Sequence, residues 1–390
     1  MLMGRFGVGT YSSIALALVA GSVLACVRAL AVAGDRPLPI GGPIRWRQAV
    51  LVMVVLYLGL AFVTLRWIRA DRVDVYLFQR DAAAALLHGI DPYSITHQNL
   101  YVHDPTFFYG PGVVKEGRVD YGFQYPPFSL FSILPGYLLG DLRYTYAAAL
   151  VLSAVLLLQI RHDRVALIAV ALLLLSPVTF YVLSRGWTEP LVLITLCWTC
   201  VAAMRRSRWL PIALGLFFAS KQYTVVAVPL VVFLLPRFGW KAYLRLTLAA
   251  AAVAAAVTAP LALWRWHDFW RGVVVWQFLQ PFRPDALSFS VLAAHFGLRP
   301  IPELWVLVAA SVTIIWALWR VRPHPSAFAG SFSLVMLVFF VLNKQAFVNY
   351  YFLMIGTTLT AAVMSKVSPA VCRRISGQED PNDEKESARI

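Results

Sequence analysis

The sequence predicts an all-α, polytopic membrane helix bundle of about 11 spans, with a large outer loop carrying juxtamembrane helices. Three observations carry that reading. Hydrophobic residues make up 60% of the 390 residues and charged residues 14%, where a soluble domain has about 25% charged. Mean hydropathy is +0.70. Apolar runs repeatedly reach the roughly 20 residues that cross a bilayer core. A net charge of +15 would suggest nucleic acid in a soluble protein. In a membrane chain that excess belongs to cytoplasmic loops, so the lipid bilayer is the expected partner and nucleic acid is not.

The runs place spans near 11–32, 49–67, 143–160, 165–184, 188–204, 243–264, 303–321, 326–342 and 349–366. Ala31-Val32-Ala33 looks like a signal-peptide cleavage site. However, Arg28, Arg36, Arg45 and Arg47 follow the first run and only Arg5 precedes it, which favours a retained span. The run 209–236 has Lys221 near its middle. A charge at membrane depth costs about 2.5–3.5 kcal/mol on insertion scales. The run therefore reads as two short spans turning at Ser220-Lys221-Gln222-Tyr223, with the lysine at an interface. Basic clusters at 28–47, Arg161/Arg164, Arg205/Arg206/Arg208, Arg237/Lys241/Arg245, Arg320/Arg322 and Lys366/Arg373/Arg374 then share one side, which is cytoplasmic by the positive-inside rule. Arg66, Arg69 and Arg72 fall outside. Segment 126–140, with three prolines, reads as interfacial or re-entrant. Residues 1–366 form one transmembrane domain, and the polar stretch 367–390 a disordered cytoplasmic tail. Cys197 and Cys200 form a CxxC inside an apolar run. They read as packing residues, since a redox or zinc site needs accessible thiolates.

The polar, expensive segments all face outward in this scheme, at the extracytoplasmic side. They are the loop 68–125, the turn Ser184–Pro190, the turn at Lys221, the loop 265–302 and the stretch Asn343–Tyr350. Transporters place ionisable groups near the midplane, and these spans are largely free of them. The asymmetry points to an enzyme working at the outer surface.

Within the loop, 75–88 reads as a helix. Ala82–Ala85 favour it, Gly89 ends it, and Phe78, Ala82, Ala85 and Leu86 share an apolar face that suits the membrane surface. Asp74 stands at its N-terminal edge, as a helix cap or as a general base. Asp81 lies roughly 10 Å further along the axis, too far for a tight carboxylate dyad. Asp91 before Pro92 reads as a turn residue. Arg66, Arg69, Arg72 and Arg80 are either headgroup anchors or phosphate ligands. Asp120-Tyr121-Gly122-Phe123-Gln124-Tyr125-Pro126-Pro127 follows, with aromatic rings that suit an interfacial belt or a sugar face.

The stretch from Asp74-Val75-Tyr76 to Gly89-Ile90-Asp91-Pro92-Tyr93, followed by Tyr125-Pro126-Pro127 and a row of spans, resembles the GT-C superfamily of integral membrane glycosyltransferases. It is most similar to bacterial polyprenyl-phosphate-mannose-dependent α-mannosyltransferases. Ser184-Arg185-Gly186-Trp187-Thr188-Glu189 resembles that family's next outer turn, and Ala219-Ser220-Lys221-Gln222-Tyr223 its lysine-bearing turn. The likeness runs over roughly 49–365. Relatives often have Gly-Gln where Gly186-Trp187 stands here. Some have a DxD, where this chain has Asp71 and Asp74 in a DxxD.

The resemblance implies a polyprenyl-phosphate sugar donor and a glycolipid or glycan acceptor, with inversion at the sugar; no cofactor is expected, and with a DxxD in place of a DxD a divalent metal is possible but not indicated. It maps the general base onto Asp74. One carboxylate suffices because lipid phosphate leaves readily, whereas a glycosidase wants two, about 5–10 Å apart. Lys221, Lys344 and Arg185 are the expected phosphate ligands. Tyr76, Arg80, Tyr93, Tyr125, Glu189, Gln222, Tyr223, His267, Gln345, Asn349 and Tyr350 are the expected substrate contacts. Glu189 also suits a helix N-terminus, and His267, near Trp264, Trp266 and Trp270, also suits an interfacial belt. Mannose is the sugar implied. Arabinofuranose transfer, or transport of a lipid-linked sugar, is the alternative.

Overall fold

The computed structural model describes residues 42–365. The expected span 11–32, Lys366/Arg373/Arg374 and the tail 367–390 lie outside the described residues, as does most of the 28–47 basic cluster. The chain is mostly helical. The first long helix, α1 (Gly42–Trp67), is followed by α2 (Asp74–Leu87) at the start of the outer loop. Gly89, at φ +71°, ends α2, with the Ile90 N–H returning to the Ala85 carbonyl as in a left-handed helix stop.

The outer loop also holds strands, which the all-α expectation lacked. β1 (His97–Gln98), α3 (Pro105–Tyr109), β2 (Val114–Lys115) and β3 (Arg118–Val119) follow in order. The strands form an antiparallel sheet in the order β1-β3-β2. The β2–β3 turn is Glu116-Gly117, both at positive φ, the geometry whose twist matches a hairpin. Beneath it lies a small core of Phe78, Tyr109, Val113, Val119, Tyr121 and Trp276. The apolar face of α2 is thus spent on protein. Phe78 enters this loop core, while Ala82 and Ala83 join the main core.

The bundle continues with α4 (Pro127–Leu138) and α5 (Arg143–Leu158), which meet at 108°. Next come α6 (Arg164–Leu175) and α7 (Pro177–Arg185), bent by 42°. The expected single span 165–184 is broken because Pro177 cannot continue a helix but can start one. Thr179 Oγ1 takes up the Leu173 carbonyl at 2.6 Å. α8 (Glu189–Met204) is buried almost all round, packing on α5 and on the helices over 210–220 and 348–364. α9 (Leu210–Ser220) ends at Lys221, in extended backbone. The chain then returns as two 3-10 segments, Gln222–Ala227 and Pro229–Leu234. The turn falls where the sequence places it, but the second limb is 3-10 rather than α. At about 2 Å of rise per residue, thirteen residues reach about 26 Å.

α10 (Trp240–Ala262) leads to α11 (Trp266–Trp270), one π turn (Arg271–Val275), α12 (Trp276–Leu279) and α13 (Phe289–His295). The chain closes with α14 (Glu303–Arg320), α15 (Pro325–Leu342) and α16 (Val348–Met364). Among the described residues, four helices are long and apolar enough to cross a membrane, or six if each bent pair is one span. The other apolar helices, 189–204, 210–220 and 348–364, are shorter. α1, α10 and α14 expose large side chains such as Leu56, Phe62, Leu248, Ile315 and Trp319, as helices in lipid do. This is an integral membrane protein.

Cys197 and Cys200 are free and buried in α8, against Thr360 Oγ1 and the Pro325 carbonyl. Arg143, 3% exposed, ties helix ends together. It is paired with Asp141 and donates to the carbonyls of Leu65, Ile68 and Ser184. These are the C-terminal ends of α1 and α7, whose dipoles favour a cation.

Candidate active site

A cavity of about 700 Å³ opens where these helix ends meet the outer loops. Asp74 lines it at the first helical position of α2, one residue inside the expected cap. Its Oδ1 accepts the Val75 N–H at 2.8 Å, and the helix dipole favours its charge. Burial pushes the carboxyl above its usual range, opposed by the Val75 N–H and by the nearby Arg283 charge.

Lys221, Lys344 and Arg185 line the same cavity. Lys221 is not at an exposed interface: it is 6% exposed, because Glu189, fully buried on the first turn of α8, pairs with it. That removes the penalty of an isolated charge. Three rings surround its Nζ, those of Tyr125 at 5.1 Å, Tyr223 at 5.5 Å and Tyr350 at 5.7 Å. Tyr350 in turn stacks on Phe340 at 3.8 Å. Lys344 pairs with Glu303 at 2.7 Å, and the Arg185 guanidinium lies 5.1 Å over Tyr181.

Tyr125, Gln222, Tyr223, Gln345, Asn349 and Tyr350 also line the cavity. The Gln222 amide holds the 124 and 273 carbonyls at 2.5 and 3.2 Å. Gln345 donates to the Pro281 carbonyl at 2.8 Å. Three side-chain atoms of lining residues, Tyr109 Oη, Gln124 Nε2 and Asn349 Oδ1, are buried without a hydrogen-bond partner.

Five expected contacts stand off the cavity wall. Glu189 sits behind Lys221. Tyr76 lies under Gly186 and the Arg143 guanidinium, 5.5 Å away. Arg80 is bonded to Asp81 at 3.0 Å and exposed. Tyr93 is buried, donating to the Tyr125 carbonyl at 2.8 Å. The side chain of His267 is 88% exposed, beside Asp268. Three other carboxylates of the outer loop, Asp81, Asp91 and Asp120, are engaged. Burial raises the Asp81 carboxyl, but bonds from His97 and Arg80 outweigh it and hold it low. Lys115 and Arg271 hold Asp120 low. Asp91 accepts the Tyr93 N–H in a turn, as expected.

The outer loops add residues that sequence reasoning did not single out, including Tyr101, Phe107, Phe108, Trp276, Arg283 and Asp285. Arg283 Nε and Nη2 each bond Asp285 at 2.8 Å. Its guanidinium is boxed by Phe107, Phe108 and Phe347 at 4.6–5.2 Å.

No protein-family profile and no curated protein matches the chain. Among solved structures, it is similar to ArnT from Cupriavidus metallidurans bound to undecaprenyl phosphate. The TM-score is 0.52 and the identity 17%, over 84% of this chain and 62% of that one. The chain thus spans less than two thirds of that protein's length. The likeness is one of fold, the GT-C-like fold that the sequence resemblance implies.

Proposed function

We propose that this protein is a GT-C-type glycosyltransferase that moves a sugar from a polyprenyl phosphate to an acceptor hydroxyl. The observation that carries the reading is the single cavity shared by a half-buried carboxylate, Asp74, and the cations Lys221, Lys344 and Arg185. The ArnT structure with undecaprenyl phosphate supports a lipid phosphate as the donor's leaving group.

Asp74 takes the proton of the acceptor hydroxyl, whose oxygen attacks the anomeric carbon from the face opposite the phosphate. The bond to the phosphate oxygen breaks, the sugar inverts, and the lipid phosphate leaves. Positioned general-base catalysis is worth about 10²–10⁴-fold. Lys221 has three N–H donors. Glu189 engages one, which holds the ammonium in place and leaves donors for the phosphate. Lys344 and Arg185 add charge where the leaving group gains it. Gln124 Nε2 and Asn349 Oδ1 suit sugar hydroxyls.

The site belongs to the extracytoplasmic face, with the C-terminus cytoplasmic. Chain alternation puts Arg161/Arg164, Arg205/Arg206/Arg208, Arg237/Lys241/Arg245 and Arg320/Arg322 at the helix ends away from the cavity, which supports that orientation. The count of about 11 spans adds 11–32, the shorter helices 189–204, 210–220 and 348–364, and the 3-10 limb to those long enough by themselves. Mannose is the proposed sugar.

The test is transfer of label from radiolabelled decaprenyl-phosphate-mannose to an envelope lipid extract by purified wild type and Asp74→Asn, both checked for folding. A labelled product with wild type alone is expected. Equal transfer by both removes Asp74 as the base. Transfer from decaprenyl-phosphate-arabinose alone replaces mannose with arabinofuranose.

A further inference from the structure

Trp187 stands on the turn between α7 and α8, half-buried and lining the cavity. The backbone that presents it is fixed. Gly186, at φ +67°, ends α7 in the left-handed region that favours glycine. A Cβ on Gly186 would fall 2.9 Å from Tyr76 Cδ2, so the turn lies against the first turn of α2, two residues from Asp74. The Gln79 amide holds the Gly186 carbonyl at 2.8 Å, and the Trp187 N–H returns to the Val182 carbonyl at 3.4 Å. In sequence, Trp187 stands midway between Arg185, a cation of the cavity, and Glu189, the partner of Lys221. The indole is thus carried on backbone tied both to the helix of the base and to the residues of the phosphate site.

Most other rings of the cavity are engaged with cations or with one another. Tyr125, Tyr223 and Tyr350 surround the Lys221 ammonium. Phe107 and Phe347 lie against the Arg283 guanidinium, and Phe108 stacks on Tyr101 at 3.6 Å. Tyr181 lies under the Arg185 guanidinium, and Trp276 is buried. Among the described residues, the ring contact of Trp187 is with Tyr181, edge to face at 5.6 Å and 64°. Such a pair occupies no more than one face of the indole. The face of an aromatic ring is electron-rich, so it repels a phosphate and suits the C–H face of a sugar. Position decides between a sugar and the lipid. The base acts at the anomeric carbon, so the sugar fills the space between Asp74 and the phosphate cations, and the lipid lies beyond the phosphate. Trp187 packs on the Asp74 side.

We propose that Trp187 is the platform on which the donor's sugar rests, and that through it the protein tells the donor from the spent lipid phosphate. This rests on the reading of the chain as a polyprenyl-phosphate glycosyltransferase. Donor and product share the lipid and the phosphate and differ in the sugar. The product's phosphate carries the greater charge, so the cations alone favour the product. A contact made to the sugar alone offsets that preference and lets fresh donor displace product.

The experiment measures direct binding to full-length protein in detergent, without acceptor. The probes are radiolabelled decaprenyl-phosphate-mannose, decaprenyl-phosphate-arabinose and decaprenyl phosphate, and the donor is whichever sugar-bearing lipid wild type binds more tightly. Trp187→Leu should weaken donor binding about tenfold and leave decaprenyl phosphate within about twofold of wild type. That unchanged binding also shows the variant to be folded. Trp187→Phe, which keeps a ring, should lose only about threefold on the donor. Equal weakening of donor and decaprenyl phosphate would assign Trp187 to the phosphate or the lipid and overturn the proposal. Donor binding unchanged in Trp187→Leu overturns it too. In both cases the glycosyltransferase reading stands, because wild type binds the donor. Wild type that binds none of the three lipids overturns that reading, and the platform with it.

Discussion

Lys221 and Glu189, 32 residues apart in sequence, meet as an ion pair with almost no exposed surface. Breaking a buried pair by deleting one partner typically costs about 3–5 kcal/mol, while replacing both by neutral groups is far milder. Glu189→Ala should therefore lower the unfolding midpoint of the detergent-solubilised protein sharply. The double variant Glu189→Gln/Lys221→Met should recover most of that loss. Transfer should stay abolished in the double variant, because the phosphate ligand is gone. A stable double variant that still transfers sugar would remove Lys221 from the donor site.

Asp74 should stabilise the fold less than the asparagine that replaces it. Burial raises its carboxyl above the ordinary value of 3.8, so the folded chain holds this proton to higher pH than the unfolded chain does. Stability from such a group is fully present below the unfolded pKa and is lost as pH rises through the folded one. Above the folded pKa that stability is gone, and there Asp74→Asn should raise the unfolding midpoint while cutting transfer by about 10²–10⁴-fold. The base must be ionised to act, so wild-type activity should climb with pH through a value above the usual carboxylate range. Arg283→Met removes a charge that lowers it and should move the rising limb to higher pH. An unmoved limb would separate Arg283 from the base.

Local signals were the legible part of this chain. Asp74, the alanine run and Gly89 mark α2 because an acidic first turn, propensity and a left-handed stop act within one helix. The turn at Lys221 was legible because a charge interrupts an apolar run. The chain's response to that charge was not. Glu189 lies on another helix, and its own sequence context suggests only a dipole partner. Arg143 reads as the edge of a span, yet it binds carbonyls 75 and 78 residues away. Arg283 sits in a loop already marked as functional, but its neighbours Phe107 and Phe347 come from distant segments. The β2–β3 hairpin had a signal, Lys115-Glu116-Gly117-Arg118 between valines, which a reading centred on helices passed over.

Gln79 should act as a positioning residue for Asp74. It is fully buried, and its amide nitrogen donates to the Val75 carbonyl at 2.9 Å and the Gly186 carbonyl at 2.8 Å. Its Oε1 accepts the Tyr146 hydroxyl. One side chain thus joins the first turn of α2 to the turn that carries Arg185. Gln79→Leu leaves buried partners unsatisfied, at about 1–3 kcal/mol. Misplacing reacting groups by an ångström can cost about 10²-fold. Gln79→Leu should therefore reduce kcat well beyond what its folded fraction explains, with the acceptor KM little changed. Tyr146→Phe, which keeps both carbonyl bonds, should lose less. Losses that track the folded fraction alone would make Gln79 purely structural.

Gly122 sets how closely the outer loop can approach the cavity. A Cβ there would fall 2.1 Å from the Tyr93 carbonyl oxygen and 2.4 Å from its carbon. These are backbone atoms, pinned by the Phe123 N–H bond to the Pro92 carbonyl at 2.9 Å. On the other side, a Cβ on Gly272 would meet the Phe123 carbonyl oxygen at 2.5 Å. Segment 122–125 is therefore held between two stretches of backbone, with no flexible side chain to yield. Gly122→Ala should cost at least the roughly 1–3 kcal/mol of an overpacked core. It should also displace Gln124 and Tyr125, which line the cavity, so transfer should fall with stability. Gly297→Ala is the comparison. That glycine has a positive φ, which Gly122 lacks, and nothing within 4 Å of its Cβ position, so an alanine there carries backbone strain without a clash. It should destabilise less and leave transfer by the folded protein unchanged. Equal effects of the two substitutions on the unfolding midpoint and on transfer would mean that the close approach at Tyr93 does not set the geometry of the site.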